Sequence, residues 1–408
     1  MNIKLLITFV CLILFVSNQI CISQEKKQEN STNVDLKKIT SNQWIALPKT
    51  KYVIPKTWEN GRHKGVNSFG SEVYCEKLGL MLSFDGYTDA PSGKSTPGNY
   101  SDSIYGFNPE TAEMILLKRS NWVSGARSRN ISNTSYPLDL NKIDPCPCPR
   151  HSYNGICYND DNEKFYLING ANAGLPNEHP KYKANGGTGV HTFWEYDINT
   201  KKWKQLEYPK AKKLERVETV LRAVPSEGAL YLIQQWSVLK YDIKAAKWTS
   251  LIAKTQSGVY KCDASVDPIR KRILLFNGGA RIRKKGQVPT EKNNMCNFRY
   301  YDITLNKIIP IPLKGAVKGK IKAGLCYIDT MDCYAVRTEV GMCFYFPKEK
   351  KWKKPVITQF IPKARKPFAW CYLNFDRKRN LLVLRRHGIL RLDPKTLKLE
   401  DLEVQLSN

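Results

Sequence analysis

The stretch from 150 to 206 decides the fold: RHSYNGICYNDDNEKFYLINGANAG at 150–174, a long polar insertion, then TFWEYDINTKKWKQL at 192–206. It reads as four short strands. The first covers His151 to Tyr158 and runs into an acidic turn. The second, Phe165 to Ile168, is an apolar run closed by Asn169-Gly170. The third, Thr192 to Tyr196, stops at Asp197, and a tight turn leads to a fourth at Trp203. Strands this short, bounded by Gly, Asn and Asp, cannot bury a core alone, so the unit must repeat.

The repeat is visible in one interval. Tyr196 and Trp203 stand seven apart with Asp after the Tyr. Tyr241 and Trp248, Tyr301 and Ile308, Tyr345 and Trp352, Phe107 and Met114, and Leu392 and Leu399 keep the same spacing. Second strands match as well: LMLSFDG, FYLINGA, LYLIQQW, ILLFNGG, CYAVRTE and LLVLRRH. The pattern resembles the kelch repeat, also found in the central domain of galactose-oxidase-like enzymes. Its second strand tends to end in Gly-Gly, and its third and fourth carry a Tyr and a Trp. Only FNGG at 276–279 keeps both glycines. The resemblance spans 70–404 and implies an all-β fold: a single β-propeller of four-stranded blades, six favoured over seven. Trp44 to Leu47 is expected to be an outer strand, closing the ring on the last blade or belonging to a partial seventh.

The chain has 408 residues, 42% of them hydrophobic, enough for one large domain. MNIK followed by LLITFVCLILFV has the basic start and short apolar stretch of a secretory signal peptide. We therefore expect a signal peptide at 1–24, a disordered leader at 25–40 and the propeller at 41–408, in a secreted or periplasmic monomer. No other stretch is apolar enough to span a bilayer.

Cys75, Cys157, Cys262, Cys326 and Cys371 all fall at the first strand of a unit. Equivalent strands do not meet in bonding pairs, so these are expected to be buried free thiols. Cys146-Pro147-Cys148 is expected to be exposed and able to pair elsewhere, for instance with Cys296.

The net charge is +28. A secreted basic protein is drawn to polyanions, and an acidic polysaccharide is the expected partner, with no sign of specific nucleic-acid recognition. The plainer alternative is a generally Lys-rich surface, since many lysines sit in short turns such as INTKKWK.

Turns joining first to second and third to fourth strands are short throughout. The long segments, Asp85 to Ser103, Asn169 to His191, Asn277 to Phe298 and the 119–150 link, lie between second and third strands or between units. In a propeller these gather at one end, where function is usually housed.

Four of the five histidines, His63, His151, His191 and His387, map to that end, and three follow an Arg: Arg62, Arg150 and Arg386. Arg222, Tyr153, Tyr260, Arg281 and Arg283 add cations and phenols. This residue set suits β-elimination on a uronate polysaccharide. An Arg neutralises the carboxylate, a His or Tyr takes the adjacent proton, and a second one protonates the leaving oxygen. We assign His151, His191, Tyr153 and Arg222 as catalytic candidates. Arg150, Arg62, His63, Tyr260, Arg281, Arg283 and His387 are the substrate-binding candidates. No cofactor is required by this scheme, and whether a divalent metal takes part is left open. In architecture and residue types the chain is similar to propeller ulvan lyases, without a residue-by-residue match. The competing structural reading is that Arg and His at strand starts bond backbone carbonyls of the next blade. Alternatives are a non-catalytic glycan- or protein-binding kelch module and a periplasmic mutarotase of the sialic-acid type. No G-x-S-x-G elbow, Walker loop, H-E-x-x-H or C-x-x-C is present. A copper oxidase of the galactose oxidase kind is not expected, because it needs a Tyr–Cys cross-link and His ligands partly from a further domain.

Overall fold

The computed structural model describes residues 40–46, 51–53, 63–66, 71–88, 100–118, 146–147, 150–172, 192–210, 219–234, 237–252, 262–276, 298–311, 324–338, 341–356, 373–384 and 388–401. They build a six-bladed β-propeller. Blades 2, 3 and 4 are plain antiparallel four-strand meanders. Their innermost strands are Ile156–Asn159, Val220–Val224 and Asp263–Asp267, and their outermost Lys202–Leu206, Lys247–Ile252 and Lys307–Ile311. The innermost strands of all six blades touch in order around the axis. Leu373–Asp376 of blade 6 meets Glu72–Cys75 of blade 1, so the ring closes.

The seven-residue interval has a direct geometric meaning. Tyr196 lies opposite Trp203, Tyr241 opposite Trp248, Tyr345 opposite Trp352, Tyr301 opposite Ile308 and Phe107 opposite Met114. In each Tyr–Trp pair the ring centroids stand 5.0 Å apart at interplanar angles of 47–51°. The acid that follows makes the turn. Asp197 Oδ1 accepts from the amides of Asn199 and Thr200, Asp242 from Ala245 and Asp302 from Leu305. Each of these turns then ends in a left-handed residue: Lys201, Ala246 or Asn306.

Second strands read as apolar runs because both faces are covered. All five residues of Ala229–Ile233 are buried. Outer strands alternate instead, as in Lys202–Leu206, where Trp203 alone is buried. Six apolar clusters form the core, one in each gap between neighbouring blades.

Four expectations need correction. Leu392 and Leu399 are not a cross-strand pair. Leu399–Asp401 runs along the edge of blade 5, with Leu399 opposite Pro355. The edge of blade 6 is taken by Trp44–Ala46, which pairs Gly388–Arg391. Asn42 fixes this exchange: its side chain donates to Thr396 Oγ1 (2.8 Å) and accepts from the Asp393 amide (2.9 Å). The chain then continues to blade 1, where Lys51–Val53 adds a parallel strand beside Glu113–Lys118. So the N-terminal segment closes the ring, and no seventh blade forms among the described residues.

Second, the shared spacing implies equivalent buried sites for Trp203, Trp248 and Trp352, but Trp248 is only half-buried, unlike the other two. Third, the first strand of blade 2 is broken. Arg150–His151 pairs Ala171–Asn172 in a separate ribbon, and the innermost strand begins at Ile156. Fourth, Cys146 is buried rather than exposed. Cys75, Cys157, Cys262 and Cys326 are buried free thiols, while Cys148, Cys296 and Cys371 lie outside the described residues. No helix among the described residues is long and apolar enough to cross a membrane.

Candidate functional site

The innermost strand of each blade has one edge facing the axis, with no further strand to satisfy its amides and carbonyls. Residues 152–155 and Arg222 meet that demand at the long-loop end. The break in blade 2 arises at Gly155, where a Cβ would stand 2.2 Å from the Ile168 carbonyl oxygen. The chain therefore turns there and reaches its neighbours. The Tyr153 carbonyl accepts from the Ser71 amide of blade 1 (2.9 Å), and the Asn154 carbonyl accepts from the Leu221 amide of blade 3 (2.9 Å). The Asn154 side chain extends further and donates to the Cys262 carbonyl at the start of blade 4.

Arg222 supplies what the carbonyls lack. Its guanidinium donates to the carbonyls of Ala264 (2.8 and 2.9 Å), Leu221 (2.7 Å) and Ile156 (3.4 Å), and to Asn154 Oδ1 (3.2 Å). Asp263 stands 3.6 Å away and takes the amides of Leu325 and Ala264. Burial pushes the Asp263 carboxyl up to about 6, against the opposing pull of Arg222 and the two amides. The Arg222–Asp263 pair thus joins blades 2, 3, 4 and 5 near the axis.

Of the other candidates, Arg150 is fully buried and donates to the Asn169 carbonyl (3.2 Å) and Thr192 Oγ1 (2.8 Å). Tyr153 is half-buried and takes a left-handed backbone, φ 47°. For His151 and His63 only the backbone is described, each in a strand. Arg62, His191, Tyr260, Arg281, Arg283 and His387 lie outside the described residues. Tyr153 and Arg222 are brought together through Asn154, which follows the one in sequence and binds the other. Sequence reasoning missed Asn154 and Asp263. A polar residue beside the Gly that ends the broken strand, and an Asp after a buried Cys, were the available signals.

Charge is divided between the two ends. At the short-turn end, acids are engaged by neighbouring blades: Glu163 with Lys77, Glu227 with Lys271, Asp332 with Arg270, and Glu110 with Arg379. Three of the segments that leave and rejoin the sheets at the other end are strongly cationic. Residues 277–297 hold five Lys or Arg against one Glu, 312–323 hold four Lys and no acid, and 357–372 hold three cations and no acid.

An axial cavity of about 350 Å³ lies below Arg222 and reaches the turns that follow the innermost strands, where Ser226, Pro268 and Arg377 are exposed. Among the described residues, no group of three or more His, Cys, Asp or Glu side chains is placed to hold a metal ion. In comparison with known proteins, no protein-family model and no curated sequence matches this chain.

Proposed function

We propose that this β-propeller binds an anionic polysaccharide at its long-loop end, outside the cytoplasm, with residues 1–24 as its export signal. The division of charge carries the reading. The acids of the short-turn end are held in ion pairs between blades, while three of the segments joining the sheets at the other end have a large excess of Lys and Arg. Such an excess attracts polyanions and weakens with salt. Binding to immobilised polyuronate and to a sulfated polysaccharide, with neutral dextran as control, tests it. Equal retention on dextran would refute it.

Uronate β-elimination at the same end is the second reading, and Tyr153 favours it. An aromatic residue in the left-handed region is uncommon and costs free energy, which is often tolerated where a side chain must be aimed. In this scheme His151 removes the proton beside the carboxylate, the bond to the leaving oxygen breaks, and Tyr153 returns a proton to that oxygen. His191 flanks the same sugar, and Arg222 neutralises the carboxylate or holds Asn154, and so Tyr153, in place. The remaining basic and aromatic candidates line the approach. The product is an unsaturated uronate, read by its ultraviolet absorbance at roughly 235 nm when general base catalysis operates.

A further inference from the structure

The fifth residue of each second strand plugs the gap to the next blade at the long-loop end. In blades 1 to 4 this residue is Phe84, Ile168, Ile233 or Phe276, each fully buried in the apolar cluster between two blades. In blade 5, the strand Cys333–Thr338 places Arg337 there. The backbone supports the equivalence. The Arg337 amide donates to the Gly324 carbonyl at 2.8 Å, as the Ile168 amide does to the Gly155 carbonyl at 2.8 Å. Alternation puts the side chain on the face of Cys333 and Ala335, which share a cluster with Leu382 and Leu384 of blade 6. Arg337 is half-buried, and its Nη1 is buried with no hydrogen-bond partner among the described residues. No described carboxylate pairs with it. A cation set into an apolar seam is costly unless an anion compensates it.

We infer that Arg337 is an oxyanion anchor, seating a carboxylate or sulfate group of the polysaccharide bound at this end. The inference rests on that reading and gives it a location. A planar guanidinium binds either group through two parallel N–H donors. Blade 5 lies across the axis from blade 2, which carries Tyr153. A ligand reaching both therefore spans the end of the propeller, as a chain of sugars does and a single sugar does not. The flanking sequence agrees. Residues 312–323 lead into blade 5 and 357–372 into blade 6, with four and three cations and no acid.

Arg337→Met gives blade 5 the apolar side chain that four other blades have. Without ligand its urea midpoint is expected to match or exceed that of the unaltered protein, because replacing a buried charge by apolar packing is often neutral or stabilising. Its affinity for polyuronate or for a sulfated polysaccharide is expected to fall at least about tenfold, and the polymer affected names the group. Arg337→Lys is expected to recover part of the loss, since lysine keeps the charge without the paired donors. Inorganic sulfate is the polymer-free probe, expected to raise the melting temperature of the unaltered protein more than that of Arg337→Met. A clear drop in the urea midpoint of Arg337→Met would show the guanidinium already compensated within the fold, and overturns the site. So does unchanged affinity for both polymers, or an equal response to sulfate. If the unaltered protein binds neither polymer while the sulfate response still depends on Arg337, the glycan reading fails and the oxyanion site stands.

Discussion

Trp44 lies opposite Leu390, and through that pairing the first described strand of the chain becomes the outer edge of the last blade. Gly388 makes the fit, because a Cβ there would stand 2.4 Å from the Ile45 carbonyl oxygen and 2.7 Å from the Trp44 ring. Gly388→Ala should push the strand off the blade and cost on the order of 1–3 kcal/mol, as overpacking does. Urea unfolding gives the stability, and limited proteolysis before residue 44 reports the strand. An unchanged midpoint and an unchanged cleavage rate would show that the closure does not depend on this contact.

The three Tyr–Trp pairs share a geometry but not a depth. Trp203 is wedged among Phe84, Phe165, Trp194 and Tyr196 in the gap between blades 1 and 2. Trp248 is half-buried and donates its indole N–H to the Glu207 carbonyl at 3.0 Å. Trp203→Ala should cost about 3–5 kcal/mol, and Trp248→Ala clearly less. Equal losses in urea midpoint would mean that the depth of burial does not decide the cost.

These pairs also explain what was legible in the sequence. An interval of seven appears because a four-residue turn with an Asp at its start places Tyr and Trp opposite each other, and local hydrogen bonds enforce it. The same interval misled at Leu392 and Leu399, where the local turn exists but a strand from far away had taken the edge. Ring closure is a competition between distant segments, and Asn42, which decides it, has no local signature. At the candidate site, residue types were readable but partners were not. Arg222 answers to axial carbonyls of two other blades, a demand created only when the ring forms.

Two acids should tilt the pH dependence of stability in opposite senses. The Arg270 guanidinium grips Asp332 with two bonds of 2.7 Å and holds its carboxyl at about 2, below the usual value of roughly 3.9. That contribution is complete above pH ~4 and lost as pH falls through about 2. Asp263, raised to about 6, holds its proton more tightly when folded. Its contribution is present below pH ~4 and lost as pH rises through about 6. The stability gap between unaltered protein and Asp332→Asn should shrink on acidification, and that for Asp263→Asn should shrink toward neutrality. Gaps that stay level across pH in urea titrations contradict both assignments.

Replacing Arg281, Arg283, Lys284 and Lys285 together by Ala removes four cations from the 277–297 segment. Polyuronate binding should fall at least about tenfold at low salt, and its salt dependence should become shallower, since screening acts on each removed charge. Folding should be unaffected, because the described strands on either side end at Phe276 and begin at Phe298. Binding with unchanged affinity and salt slope would place the polyanion elsewhere on the surface.

The elimination scheme turns on His151. Its strand, Arg150–His151, is held on one side by Ala171–Asn172, and Arg150 is locked beneath by the Asn169 carbonyl and Thr192. The backbone at 151 is thus fixed just before the turn that delivers Tyr153 and Asn154 to the axis. If this is the proton-transfer centre, His151→Ala should abolish the rise in absorbance at roughly 235 nm while leaving polyuronate affinity within about threefold, because proton abstraction belongs to the transition state. Tyr153→Phe keeps the ring and its packing and should lose turnover while retaining binding. Arg222→Ala should damage binding, turnover and stability together, since four backbone carbonyls and Asp263 lose their partner. Normal turnover by His151→Ala removes the elimination scheme. No absorbance from the unaltered protein on any polyuronate, with binding intact, leaves glycan recognition as the function of this end.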